Sequence, residues 1–381
     1  MLRHEFLEQL QNDIVDKLGT SGTAEVATGV GKTFIAFKWL YQYVPKGSKV
    51  SFFAETVVRE ATMKEEAFKF KRIYNKDPLI DYYIGFHCYQ GVPETDSVAH
   101  IYDEVHDMLT PVFADCYFQN KPEYRVGLSA YIPDTPVDKS DPYSLTKRQL
   151  LATIAPIKAT YSLEQGVRDG VLSPYELKVI EYELDNTSKH MIGGTKNKPM
   201  AMTERQYHDY FENRRRADWA QTTYRMFCGR NIKTLLQSNR SVIPKVKELL
   251  PTTGRTIVFG VDLNVLESIV PGAVVCSKRS KLDNALIVER FNKGELDVVG
   301  SYLMLKQGIT LEGVETCIMV SYHSTKKDFI QRVGRVVRWA EDKKAKVFIY
   351  LVKDSPMHYK WLTSMTEKDL EETEVDPNDD V

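Results

Sequence analysis

Ala27-Thr28-Gly29-Val30-Gly31-Lys32-Thr33 brings two glycines, a lysine and a hydroxyl into one short run that can wrap a phosphate chain. Gly29 and Gly31 allow tight backbone turns that aim N–H groups at phosphate oxygens, with Thr28 and Val30 completing the loop. Lys32 reaches the β- and γ-phosphates, and the Thr33 hydroxyl suits Mg2+. Val26 stands where the general G-x-x-x-x-G-K-[ST] pattern has its first glycine. Further along, Asp103-Glu104-Val105-His106 follows the apolar run Val98–Tyr102, so both carboxylates fall at the C-terminal end of a strand. Asp103 is placed to hold Mg2+ through water, Glu104 to orient or deprotonate an attacking water, and His106 to relay the state of the site. A third stretch, Gln331-Arg332-Val333-Gly334-Arg335-Val336-Val337-Arg338, carries Gln331, Arg335 and Arg338 at helical spacing. Two guanidiniums on one helix face suit a phosphate, which their planar forks bind in pairs.

These side chains need a scaffold. Thr23–Ala27 reads as a strand feeding the glycine loop, and Thr33–Leu40 as the helix after it. Val50–Ala54, Tyr82–Phe86, Val98–Asp103 and Tyr124–Ser129 read as further strands with helices between several of them. The polar segment Asp185–Pro199 interrupts the pattern after a strand at Val179–Leu184. A long helix from Thr203 to about Cys228 and another near Val242–Leu250 follow. Alternation restarts with strands at Thr256–Gly260, Ala273–Cys276, Leu296–Ser301, Cys317–Val320 and Lys346–Val352, and helices at Leu282–Asn292 and Lys326–Arg338. Strands alternating with helices predict parallel sheets covered on both faces. The division expected is a first α/β domain at 1–178, a strand plus basic helical connector at 179–250, a second α/β domain at 251–360, and an acidic tail at 366–381.

At 381 residues, 43% hydrophobic and 27% charged, the chain has the balance of a globular protein of two domains. Its apolar runs are strand-length, which excludes a membrane span, and the N-terminus lacks a signal-peptide core, so a cytoplasmic protein is expected. The five cysteines form no Cys-x-x-Cys pair, which argues against zinc ribbons, iron–sulfur clusters and disulfide frameworks. Net charge is −1, but residues 189–247 carry thirteen Lys/Arg against four Asp/Glu, while 366–381 carry eight acids against one lysine. That pattern predicts a basic surface, with Arg214 and Arg215 as phosphate contacts, and an acidic tail able to recruit a partner protein. Trp219, Tyr224, Phe227 and Trp339 fall at helical spacing and read as core, with base stacking as their other use.

The three motifs, in this order, resemble those of superfamily 2 helicases and translocases in the DExH lettering. Lesser matches extend the resemblance from about residue 3 to 352. Gly127-Leu128-Ser129-Ala130 is similar to motif III, Thr256-Ile257-Val258-Phe259 to motif IV, and Gln307-Gly308-Ile309-Thr310 to motif V. Ala54-Glu55-Thr56, with Arg59 close behind, and Cys88-Tyr89-Gln90 sit where the family's first domain contacts the strand. Tyr161–Leu172 resembles a segment of the branch holding phage recombination helicases, repair translocases and restriction-enzyme motors, and the compact length is most like a phage member. The family's motif V usually reads Glu-Gly-x-Asp; Gln307 and Thr310 replace both acids, so nucleotide–strand coupling differs. Gln9 and Gln11 both fit the upstream glutamine that reads adenine in the family.

The resemblance implies two RecA-like domains, ATP and Mg2+ as cofactors, and Asp103, Glu104, Gln331, Arg335 and Arg338 as the hydrolytic set. It also implies coupling through His106, Ser129, Gln307 and Gly308, and strand contacts at Thr56, Arg59, Tyr89 and Gln90. Arg335 and Arg338 would then complete the site when the second α/β unit closes on the first. An ATP-dependent motor is expected, probing DNA rather than RNA and moving 3′→5′ as a monomer. An RNA helicase, an ATP-switched clamp and a ring ATPase are the other readings.

Overall fold

The computed structural model describes residues 3–55, 58–89, 96–138, 140–141, 143–195, 198–302, 311–320, 326–341 and 343–366, a few side chains apart. Thr56, Gln90, Gln307, Gly308 and the tail from 367 onward lie outside the described residues. Two compact units result, the first built mainly from described residues up to 174 with 329–341 and 343, the second mainly from 175–302 with 344–366.

The first unit contains strands β1 (Ser21–Val26), β2 (Lys49–Ala54), β3 (Tyr83–Cys88), β4 (Ala99–Asp103), β5 (Tyr124–Ser129) and β6 (Ile157–Tyr161). They form one sheet in the order β3-β2-β4-β5-β1-β6, every pairing parallel. Parallel neighbours need crossover connections, and helices such as Lys32–Tyr43 and Val58–Tyr74 supply them. Burial on both faces explains why strands such as Val50–Ala54 read as apolar runs broken only by Ser51, itself buried. The core includes Phe37, Trp39, Phe53 and Tyr102, and Trp39 satisfies its indole N–H on the Gly19 carbonyl at 2.7 Å.

The second unit repeats the plan. Its strands are β7 (Tyr175–Tyr182), β10 (Thr256–Gly260), β11 (Val274–Val275), β12 (Val298–Tyr302), β13 (Thr316–Met319) and β14 (Ala345–Val352), with an antiparallel pair β8 (His190–Thr195) and β9 (Lys198–Met202) apart. The sheet order is β11-β12-β10-β13-β14-β7, again parallel throughout. Two six-stranded parallel sheets with helices on both faces are two RecA-like domains. β7 joins the second sheet as its edge, pairing β14 from Tyr175 to Tyr182.

Three expectations need correction. The helix expected from Thr203 to about Cys228 is two helices, Glu204–Arg216 and Thr222–Ser238, which form an antiparallel hairpin. The break falls at Ala217, which turns extended, and the Arg225 side chain then bonds the Ala220 carbonyl at 2.9 Å, tying down the turn. Trp219 and Phe227 are 65% and 52% exposed and so are not core. The helix expected to run to Arg338 ends at Val336, so Arg338 comes from the segment after it rather than from the face that carries Gln331 and Arg335. Backbone pairing of the Ser173 N–H with the Val337 carbonyl, at 2.9 Å, accompanies that ending.

Candidate nucleotide site

In the first sheet β4, β5 and β1 are neighbours, so the segments leaving their C-terminal ends converge. Ligands of open α/β sheets bind in that crevice. The loop after β1 is anchored by the Ala27 N–H on the Tyr161 carbonyl at 2.8 Å. Gly29 and Gly31 have φ of 99° and 88°, a left-handed backbone that side chains strain. A Cβ at Gly29 would meet Leu172 at 2.9 Å, and one at Gly31 would meet the Gln11 amide at 2.7 Å. Gly31 caps the helix beginning at Lys32 with no side-chain bond, which leaves the first-turn N–H groups for an anion. Thr33 lies in that first turn. Of the two upstream glutamines, Gln9 faces solvent and bonds Asp13, whereas buried Gln11 donates its amide to the Val30 carbonyl at 2.9 Å.

Glu104 leaves β4 with φ 51° and ψ 53°, a left-handed conformation that costs a non-glycine residue roughly 1–2 kcal/mol. Such strain concentrates at functional sites. It turns the carboxylate toward the loop, where Lys32 Nζ lies 2.6 Å from Glu104 Oε1. Burial by itself would raise the Glu104 pKa, but Lys32, then His106 and Arg59, hold it down at about 2. Glu104 Oε2 is buried without a hydrogen-bond partner, as is Thr28 Oγ1 in the loop.

Asp103 is buried and paired with Arg59, whose Nε donates to Oδ2 at 2.7 Å and whose Nη2 reaches the same oxygen. Attraction to Asp103 raises the Arg59 pKa above its ordinary value despite burial. The Tyr89 hydroxyl donates to the Asp103 carbonyl at 2.8 Å. Arg59 and Tyr89, expected on a strand-binding surface, therefore both turn inward to the acid. β2 lies beside β4, with Phe53 opposite Tyr102, so the first turn of the helix after β2 falls within reach of the end of β4. His106 Nδ1 lies 2.7 Å from Ser129 Oγ, and the Ser129 hydroxyl donates to the Tyr131 carbonyl at 2.9 Å. With that proton committed, Nδ1–H is the donor to Ser129. The ends of β4 and β5 are thereby joined.

The segment 329–343 packs in this same unit rather than in the second α/β repeat where the sequence puts it. A Cβ on Gly334 would come within 2.6 Å of Thr28 Cβ, so the arginine helix rests on the phosphate loop with no room for alanine. Arg335 is pushed down to about 9 by burial, by Arg338 and by Arg59, with Glu104 pulling the other way. Burial likewise lowers Arg338. Arg3 anchors the segment's far end, its guanidinium 4.5 Å from the Trp339 ring centroid and bonded to the Val171 carbonyl at 2.9 Å. Gln331 is half-buried on the helix. Arg214 stacks on Tyr210 at 4.2 Å, and Arg215 is tied to Glu212 at 2.8 Å, both in the second unit. The Gln11 contact, the Arg59–Asp103 pair and the Tyr89 support were missed in the sequence, where only the strand order could have given them away.

The cluster fits a metal-bound triphosphate. Lys32, Arg59 and Arg335 gather around the carboxylates of Asp103 and Glu104, and burial, followed by Arg338 and Arg59, lowers the Arg335 pKa there. Among the described residues no group of three or more His, Cys, Asp or Glu could cage a metal. Mg2+ is held by one or two carboxylates plus substrate phosphates, a set that Asp103 and a bound triphosphate would supply.

Two outcomes follow for this site. Arg59 occupies Asp103 Oδ2, the oxygen a bound cation would need, so Arg59→Gln is expected to lower severalfold the Mg2+ needed for half-maximal binding of a fluorescent ATP analogue. An unchanged Mg2+ titration would show that the pair has no bearing on the metal. Glu104 titrates at about 2 against an ordinary 4.5, so it adds stability that is complete above pH 4.5 and lost as pH falls toward 2. Glu104→Gln is expected to flatten unfolding free energy against pH across that window, and an unaltered slope would refute the assignment.

Residues 243–340 match the family model of the helicase conserved C-terminal domain. A DNA 3′-5′ translocase, XPB2, from Sulfurisphaera tokodaii is 24% identical over 264 residues, 66% of this chain and 56% of that protein, so the chain spans little more than half of it. The Pyrococcus furiosus Hef helicase domain superposes with a TM-score of 0.55 at 15% identity, covering 96% of this chain and all of that one. Dbp5 of S. cerevisiae, bound to RNA and ADP BeF3, superposes at 0.57 and 15% identity over 94% of this chain and 86% of its own. The solved structures speak to the fold, which is that of paired RecA-like domains.

Proposed function

We propose that the chain is a nucleic-acid-dependent ATPase that moves on DNA, a translocase or helicase of the DExH type. The observation that carries this reading is the meeting of Lys32, Asp103, Glu104 and Arg335 at the ends of β1 and β4. Bound ATP with Mg2+ supplies a γ-phosphoryl group open to attack by water. The loop N–H groups and Lys32 would hold its phosphates, Thr33 and Asp103 would hold the metal, and Glu104 would orient the water. Arg335 offsets charge that develops on the phosphate, with Arg338 beside it. Lys32 must exchange Glu104 for phosphate on binding, which frees the carboxylate for water. His106 and Ser129 carry the state of Glu104 to the end of β5.

DNA as substrate, and 3′→5′ movement, are favoured by the likeness to a DNA 3′-5′ translocase and by the phage and repair branch that Tyr161–Leu172 resembles. The likeness to Dbp5 bound to RNA favours an RNA helicase as the second reading. ATP hydrolysis measured with single-stranded, duplex, forked and four-way DNA and with matching RNA separates them. Strongest stimulation by a DNA is the expected result. Stimulation by RNA alone would transfer the assignment to the second reading.

A further inference from the structure

The helical hairpin of Glu204–Arg216 and Thr222–Ser238 carries an aromatic strip that the ATPase does not use. Tyr207 and Phe211 start it at the core, with ring centroids 4.8 Å apart. Phe227 follows at 6.0 Å from Phe211, Tyr224 stacks on Phe227 at 6.0 Å, and Trp219 lies 5.4 Å from Tyr224. The strip thus runs outward into solvent, ending on Trp219, 65% exposed, and Phe227, 52% exposed, with Met226 at 65% beside them. The Arg214 guanidinium already sits over the Tyr210 ring, 4.2 Å from its centroid, and donates to the Tyr224 hydroxyl at 3.4 Å.

We propose that this tip is a base-stacking site for unpaired nucleic acid. The inference rests on the nucleic-acid reading above and adds to it where the bases go. Rings presented edge by edge offer π faces, which every base can use once it is out of a duplex. Cations outweigh acids on the hairpin. Glu212 is spent on Arg215 and Arg216, Asp209 on Arg205, and Glu204 on the backbone N–H of Arg240. Asp218 is the one acid beside the rings, while Arg225 and Arg230 are exposed nearby. Arginine around aromatics suits a phosphate backbone whose bases lie on the rings. A protein partner is the competing occupant.

The test uses the full chain and two labelled strands of equal length, oligothymidylate and an abasic strand, followed by fluorescence anisotropy. Trp219→Ala and Phe227→Ala are each expected to weaken oligothymidylate binding by about tenfold, within the range of one lost base stack. Abasic binding should change less than about twofold, because the phosphate contacts remain. Trp219→Phe should restore most of the affinity, and melting temperature should hold, since the rings are exposed. Equal wild-type affinity for both strands, or an equal loss on both in the alanine variants, would overturn the site. Tight oligothymidylate binding untouched by either substitution would overturn it too, leave the motor reading intact and point to the protein partner. No affinity for either strand would remove both together.

Discussion

Glu104→Gln is expected to cut ATP turnover by about 10²–10⁴-fold, the usual worth of a positioned general base, while nucleotide still binds. The amide keeps an oxygen for Lys32 Nζ, now 2.6 Å from Glu104 Oε1, so the loop keeps its partner. What is lost is a carboxylate that Lys32, His106 and Arg59 keep ionised before nucleotide binds, and that can orient the attacking water once Lys32 moves to the phosphates. The variant should accumulate in the ATP-bound state on DNA, seen as slow release of a fluorescent analogue. Lys32→Ala is expected to abolish turnover as well, but differently. It removes the cation from the phosphates and leaves Glu104 without its closest partner, at a cost of about 1–3 kcal/mol in stability. Turnover within a few-fold of wild type in either variant would show that the convergence at β1 and β4 is structural.

Arg335→Met is expected to reduce turnover by about 10³–10⁵-fold, the range of an arginine that stabilises phosphoryl transfer. Its effect on the nucleotide-free fold should be opposite in sign to that of an ordinary buried cation. Burial first, then Arg338 and Arg59, disfavour its charge while Glu104 favours it, and the net effect is that the folded protein holds the guanidinium below its usual affinity for a proton. Removing the charge should hold or raise the melting temperature without nucleotide and remove part of the stabilisation that ATP gives. Arg338, beyond the helix end at Val336, should matter less. A large drop in melting temperature with turnover unchanged would make Arg335 a scaffold residue.

Much of this was legible because parallel strands are buried on both faces and so announce themselves as apolar runs. Thr256–Gly260 and Tyr124–Ser129 fall where the sequence puts them, and the glycine loop sits between a strand and a helix as its chemistry requires. β6, Ile157–Tyr161, escaped notice since an edge strand with exposed Lys158 and Thr160 lacks that signature. The β8–β9 hairpin lies in a segment whose polarity reads as a break. Helical periodicity placed Trp219 and Phe227 on one helix, but Trp219 falls in the turn between Arg216 and Thr222, and periodicity carries no information on whether the face holding Phe227 meets a core. Pairings such as Arg59 with Asp103 depend on the order of strands in the sheet, which periodicity does not encode.

The most direct test is steady-state ATP hydrolysis by the full chain with Mg2+, with and without saturating DNA, run beside Lys32→Ala. Hydrolysis that rises severalfold with DNA and vanishes in the variant is the result the site predicts. Wild-type turnover no higher than that of Lys32→Ala, whatever DNA or RNA is added, would contradict it.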